Sequence, residues 1–416
     1  MMRKTNTGLF KCLNIIFGLI DKIIFYNLTI EPEICSSTRN RLKLKDYQTS
    51  YLNFKKKFFQ NLNFVLNPVE RGRKLYQFSP SFMKHDGVGN LGVFLDKKFQ
   101  KKGFITKMFA IDFNKELYRN ISDITEFKND LKPKDIVVLH YTGDSEINNI
   151  AANLKCEKWF FYHNVTPSHY FKNYNRDIYE LTLKGREKLF SYKDKFNKSV
   201  TWSEFNADEL RTIGFKNVNV EPLPKDFNML DSEVDNDLYE KYNDGYFNII
   251  FVGRILPYKN YKFLIDCYNE FKTKFCPKSR LLLPGVFDDT KYKEEIDNFI
   301  VLNKINDIVF FGRIEQNKLN ALYKVSNLFL CVSGHEGYCM PIIEAMYFGI
   351  PIIALNNGAV KETVSCGGII LDSNTDKKNI ANEIYNIYSS EKLKNKFLLN
   401  QKKILLDRYF NYDFND

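Results

Sequence analysis

From Lys74 onward the chain alternates short runs rich in β-branched and aromatic residues with longer runs of helical periodicity, and this alternation limits the fold more than any other feature. Strand-like runs fall at 74–79, 104–111, 135–139, 158–162, 199–202 and 218–221, separated by helical patterns that include 91–101, 147–153, 178–196 and 206–213. An acidic, Asn/Asp-rich stretch at 226–245 interrupts the pattern. It then restarts with strands near 247–252, 280–283, 308–311, 328–332, 351–354 and 368–371. Strands spaced by helices build βαβ units and parallel sheets. The expectation is an α/β chain with two Rossmann-like domains, at 74–225 and 246–395, joined by a 226–245 linker. A helix at 396–416 is expected to pack back on the first domain. With 416 residues there is chain enough for two such cores.

Residues 1–73 read as a basic, amphipathic extension. Leu9, Cys12, Leu13, Ile16, Phe17, Ile20, Ile23 and Ile24 share one helical stripe, which suits a helix docked on protein or lying in a membrane interface. Residues 39–74 then carry ten basic side chains against two acidic ones. The net charge of +11 is unevenly placed: residues 1–225 hold 38 Lys and Arg against 24 Asp and Glu, or +14, and residues 226–416 hold 23 against 26, or −3. Nucleic acid, an anionic lipid surface and a phosphate-bearing substrate all fit such a face, as does a solvated Lys-rich surface. No apolar run near the N-terminus approaches the roughly 20 residues that span a bilayer. The eight cysteines form no CxxC pair, so neither a disulfide framework nor a zinc knuckle is indicated, and a reducing, cytoplasmic setting is expected.

Gly87-Val88-Gly89-Asn90-Leu91-Gly92 spells GxGxxG, with Asp112 downstream, and taken alone is a dinucleotide fingerprint. That fingerprint needs its first glycine at the tip of the first strand, which is expected to end near Ser79, so NAD or FAD binding is disfavoured. What survives is a glycine-bearing loop whose amides can approach a ligand at a helix N-terminus.

The second half is more specific. Phe251-Val252-Gly253-Arg254 closes a strand and Lys259-Asn260 opens the next helix, placing two cations at the carboxyl edge of a sheet, where open α/β sheets bind ligands. Ser333-Gly334-His335-Glu336-Gly337-Tyr338-Cys339-Met340-Pro341 leaves a strand and enters a helix that carries Glu344. Glu336 in the loop can face a sugar hydroxyl and Glu344, one turn into the helix, a ribose diol. The amides of Tyr338 to Met340 offer a seat for a diphosphate. A surface ion pair and two solvated carboxylates are the plainer alternative, which leaves Gly337, Pro341 and the strand context unexplained.

At these residues the sequence resembles the retaining GT-B glycosyltransferases of family 4, whose signature is a Glu, seven intervening residues and a second Glu, preceded by a Gly-Arg…Lys pair. The resemblance continues through Phe311-Gly312-Arg313, Gly349-Ile350-Pro351 and Glu362-Thr363. Upstream it takes in His85-Asp86-Gly87-Val88-Gly89-Asn90, His140-Tyr141, Tyr162-His163-Asn164-Val165-Thr166-Pro167 and Ser203-Glu204-Phe205-Asn206. It covers roughly residues 74–410. Two departures concern the donor sugar: Cys339 stands where many relatives have Gly, and Thr142-Gly143-Asp144 follows His140-Tyr141.

The resemblance implies two Rossmann-like domains facing across a cleft, and transfer of a hexosyl group from a nucleotide diphosphate sugar to an acceptor hydroxyl with retention of configuration. It implies His163, Glu336, Arg254 and Lys259 as catalytic residues. It implies donor contacts from Gly87, Gly89, Asn90, Gly253, Gly285, Gly312, Arg313, Gly337, Tyr338, Cys339, Met340 and Glu344, beside Arg254 and Lys259. Because those two cations would meet the leaving group's charge, and no Asp-x-Asp closes a strand, neither metal nor cofactor is expected. Together with the basic first half, this points to a saccharide or lipid-linked acceptor, a role in cell-surface polysaccharide synthesis, and peripheral attachment to an anionic membrane at its inner face. Nucleic acid has no place in it. A GT-B sugar-nucleotide epimerase and a non-catalytic glycan-binding protein are the alternatives.

Overall fold

The structure is a computed structural model that describes residues 72–83, 86–116 and 118–410. The amphipathic stripe at 9–24, the basic stretch up to residue 71 and His85 lie outside the described residues.

The first domain takes β1 (Lys74–Phe82), α1 (Gly87–Lys101), β2 (Ile105–Phe113), β3 (Ile121–Asp123), β4 (Ile136–Tyr141), α2 (Glu146–Asn153) and β5 (Glu157–Tyr162). It continues with α3 (Arg176–Tyr192), β6 (Lys198–Thr201), α4 (Glu204–Ile213) and β7 (Val218–Val220). Its sheet is parallel, in the order β3-β2-β1-β4-β5-β6-β7. The central strands are buried along their length, as parallel strands covered on both faces must be: all six residues of β4 are buried. Phe78, Leu139, Tyr141, Phe160 and Tyr162 fill one side of this core.

The second domain runs through α5 (Asn236–Tyr242), β8 (Phe247–Ile250), α6 (Tyr261–Lys274), β9 (Ser279–Pro284), α7 (Thr290–Leu302), β10 (Ile308–Gly312), α8 (Gln316–Lys324) and β11 (Leu328–Cys331). α9 (Met340–Tyr347), β12 (Ile352–Leu355), α10 (Val360–Val364), β13 (Ile369–Leu371), α11 (Lys377–Ser389) and α12 (Glu391–Leu405) complete it. Its parallel sheet is ordered β10-β9-β8-β11-β12-β13. Two Rossmann-like sheets make the GT-B fold.

Several local expectations change. β1 runs to Phe82, beyond Ser79, and α1 starts at Gly87 rather than Leu91, so the glycines do sit at a strand tip. A strand that buries both faces gives no alternation by which to find its end. The expected linker contains α5, whose Tyr242 is buried in the second core; Asn248 Nδ2 donates to Tyr242 O at 2.9 Å. Among the described residues the C-terminal helix meets the second domain: Gln401 Nε2 donates to Ile350 O (2.9 Å) and Gly367 O (2.8 Å).

Candidate active site

The carboxyl edge of the second sheet is built from close backbone approaches. Gly253 N donates to Pro284 O at 3.1 Å and Gly285 N to Gly312 O at 3.0 Å. A Cβ on Gly285 would lie 1.8 Å from Gly253 O, so only glycine lets these strand ends meet. Gly312 takes a left-handed φ of +64°, and Arg313 after it is exposed. Arg254 stands at the same edge with its side chain 57% exposed, its Nε donating to Asp288 Oδ2 at 2.6 Å.

Lys259 ends a short 3-10 turn, and its Nζ lies 2.7 and 2.8 Å from the two carboxylate oxygens of Glu336. Both side chains are buried. Burial opposes the ammonium's charge, but the Glu336 carboxylate more than offsets it, holding Lys259 well above its ordinary pKa. The expected roles, phosphate for Lys259 and sugar for Glu336, are thus carried by two groups that neutralise each other here. Glu336 is fixed by its backbone as well: its carbonyl accepts from Ala359 N at 2.8 Å, and a Cβ on Gly358 would come within 2.2 Å of that oxygen.

Glu344 is buried in α9. One carboxylate oxygen accepts from Tyr323 OH at 2.8 Å and the other from Lys225 Nζ at 2.5 Å. Neither partner is among the expected site residues: Tyr323 lies in α8, whose sequence is largely polar, and Lys225 at the expected end of the first domain. Cys339 is the N-cap of α9 with φ +70° and ψ +69°, and Met340 is the first helical residue. That left-handed backbone accounts for glycine in similar sequences, since a Cβ there is unfavourable by about 1–2 kcal/mol. The Cys331 and Cys339 sulfurs and a Glu336 oxygen lie within 4.8 Å of one another, all buried.

Across from this edge stands the first domain. Asp86 Oδ2 accepts from Val88 N and Gly89 N, each at 3.2 Å, and caps α1. A Cβ on Gly89 would sit 2.3 Å from Met83 O, whereas one on Gly87 would meet nothing; Asn90 is half-buried in the first turn. His163 follows β5. Its Nδ1 accepts from Trp202 Nε1 at 3.1 Å and its Nε2 lies 2.9 Å from His140 Nδ1. Burial lowers its pKa to about 3, so the ring is neutral.

Gly337 brings the two sides together. A Cβ there would lie 2.9 Å from Asn164 Cβ and 3.2 Å from His163 O. Its carbonyl accepts from Asn206 Nδ2 (3.0 Å) and Ser203 Oγ (3.3 Å), while Tyr170 OH donates to Gly334 O at 2.8 Å. His335 Nε2 donates to Asn164 Oδ1 at 2.7 Å, because the Asn164 amide nitrogen is committed to Asn206 Oδ1 at 2.8 Å. Tyr338 is anchored through its other groups: its carbonyl accepts from Thr363 Oγ1 at 2.6 Å and its hydroxyl bonds Tyr409. So the Glu336 loop is held by both domains. His163, Gly337, Glu336 and Lys259 are brought into one neighbourhood, with Glu344 on the helix beyond.

Residues 239–404 match the family described as glycosyl transferases group 1. The matched residues run through the second domain from α5 to α12. An uncharacterized glycosyltransferase of Methanocaldococcus jannaschii is 26% identical over 156 residues, 37% of this chain and 42% of its own length. O-antigen chain mannosyltransferase B of Escherichia coli is 25% identical over 127 residues, 30% of this chain and 32% of its own. The matched segments thus span less than half of either relative. In fold, Anabaena HepE, solved with UDP and glucose, superposes with a TM-score of 0.65 at 15% identity, covering 82% of this chain and 96% of that one. The GT-B fold therefore extends across both domains, and the Lys259–Glu336 pair and Glu344 lie within the residues that match the family.

Proposed function

We propose that the protein is a retaining glycosyltransferase of family 4 type, moving a hexosyl group from a nucleotide diphosphate sugar to a saccharide or lipid-linked saccharide. The observation that carries this reading is the buried Lys259–Glu336 pair at a sheet's carboxyl edge, flanked by Glu344 and with Gly337 packed against His163 and Asn164. In the transfer, the bond from the anomeric carbon to the diphosphate oxygen breaks and one to the acceptor oxygen forms on the same face. The departing phosphate oxygen takes the acceptor's proton. Negative charge gathers on the diphosphate, and Arg254 and Lys259 meet it without a metal ion. Glu336, released as Lys259 turns to phosphate, holds sugar hydroxyls. Glu344 holds the ribose, and the loop from Asp86 to Asn90 closes over the donor.

The resemblance to an O-antigen mannosyltransferase and the +14 charge of residues 1–225 support a polysaccharide role at the inner face of a membrane. Thermal stabilisation by a panel of UDP- and GDP-sugars identifies the donor. NMR of the product formed in excess chelator then reads anomer and metal dependence together. A product with the donor's anomeric configuration, made in EDTA, is expected; inversion, or activity regained only with magnesium or manganese, overturns the reading.

A further inference from the structure

Behind the site a chain of polar side chains crosses four neighbouring strands of the first sheet, β1, β4, β5 and β6, and the proposed transfer makes no use of it. Trp202 Nε1 donates to His163 Nδ1 at 3.1 Å, and His163 Nε2 lies 2.9 Å from His140 Nδ1. His140 Nε2 lies 2.9 Å from Gln77 Oε1, and Gln77 Nε2 donates to Gly92 O at 3.0 Å.

The two ends fix the direction of every bond between them. An indole N–H can only donate, so His163 Nδ1 accepts and its proton is on Nε2. A peptide carbonyl can only accept, so Gln77 turns its amide nitrogen to Gly92 and its oxygen to His140. His140 therefore accepts at Nδ1 and donates from Nε2. Each of the three links then has one proton and one acceptor, and this holds only while both imidazoles are neutral: another proton on either ring would set N–H against N–H. The surroundings agree. Gln77 and His140 are fully buried, the two imidazoles lie within 16° of coplanar, and Phe82 and Phe161 pack edge-on against His140. Burial lowers both histidines, His140 well below its ordinary value. Asp96, buried beyond Gln77 with Oδ1 3.4 Å from its Nε2, is the carboxylate at the far end.

We propose that Gln77 and His140 are positioning residues that hold His163 as a neutral Nε2–H imidazole with both nitrogens engaged inside the protein. His163 then faces the donor as a fixed, uncharged wall and neither takes up nor gives up a proton during transfer. The consequence for catalysis rests on the glycosyltransferase reading; the proton arrangement does not.

The test is nitrogen NMR of the full chain with labelled histidine, from about pH 5.5 to 8.5, on wild type, Gln77→Met, Trp202→Phe and the two combined. Wild type should show both rings protonated at Nε2 and no titration. Gln77→Met deprives His140 of its acceptor and Trp202→Phe deprives His163 of its donor. Either one alone leaves the opposite end to fix the direction and should keep both rings protonated at Nε2, whereas the two substitutions together should introduce a population of both rings protonated at Nδ1. In turnover, Gln77→Met should lower kcat by about tenfold with the donor KM held within about twofold, the pattern of a misplaced wall and not of a lost donor contact. Titration of His163 in wild type, or a His163 tautomer unmoved when the two substitutions are combined, overturns the proposal. Wild type that shows the signature but transfers no sugar instead sinks the glycosyltransferase reading and leaves the relay standing.

Discussion

The two walls of the site solve opposite electrostatic problems. The second domain stores charge in pairs: Lys259 with Glu336, Lys225 with Glu344 and Arg254 with Asp288. The first domain presents His163 and His140 as neutral rings, their protons fixed by Trp202 and Gln77. In the proposed reading a dianionic donor needs cations, which Lys259 and Arg254 supply, and the sugar needs a rigid, uncharged surface, which His163 and His140 supply. Buried pairs supply that charge without leaving it bare while the site is empty, because each partner solvates the other.

The sharpest way to break this contrast is to leave one buried charge alone. Lys259→Met should destabilise the protein by about 3–5 kcal/mol in urea unfolding, since Glu336 stays buried without a counter-charge. Adding Glu336→Gln should restore most of that loss, as a neutral side chain of the same size needs no partner. A single-mutant loss below 1 kcal/mol would mean that water reaches the pair. Glu344→Ala follows in size: a charge-assisted ribose contact is worth about 1.5–3 kcal/mol, so the donor Kd should rise at least tenfold by calorimetry. Unchanged affinity would remove Glu344 from the donor site.

The architecture was legible in sequence because parallel strands buried on both faces leave uniform apolar runs, and all six expected strands of the second sheet are present. The site was legible as a set of positions, from Gly253 to Glu344, because strand tips and helix starts are marked by Gly and Pro. Its pairings were not. Nothing local joins Lys259 to Glu336 or Lys225 to Glu344 across such separations, and the close approach of Gly337 to Asn164 is a contact between domains. His140 left one faint signal, a polar residue inside an otherwise apolar strand, whereas Gln77 shares β1 with Ser79 and Ser81 and left none. β3, at three residues, is too short to show a period.

Acid tests the contact between the two walls. His335 is buried and donates to Asn164, and burial lowers its pKa to about 4. Below its ordinary value of 6.5 the unfolded chain takes up a proton that the folded chain refuses, so stability falls as the pH drops from about 6.5 to 4. For one group the slope is at most about 1.4 kcal/mol per pH unit. His335→Gln keeps a donor toward Asn164 but cannot titrate. It should therefore lose about 1–2 kcal/mol less than wild type between pH 7 and pH 5 in urea unfolding. Identical losses would place the acid sensitivity elsewhere.

The smallest effect is expected at Arg254, and its smallness is the point. Its side chain is 57% exposed, and an exposed pair of this kind is worth about 0–1 kcal/mol. Asp288→Asn should therefore shift stability by less than about 1 kcal/mol, against the several lost at Lys259. Donor affinity should stay level or rise slightly, because a guanidinium that no longer faces a carboxylate is freer to turn to a diphosphate. That separates the two cations by their work: Lys259 is held in place by burial, and Arg254 stays lightly restrained at the rim until the donor arrives. Were Asp288→Asn to weaken donor binding tenfold, Asp288 would be aligning Arg254 rather than occupying it. The rim pair would then belong with the buried ones, and the distinction between stored and available charge on this wall would collapse.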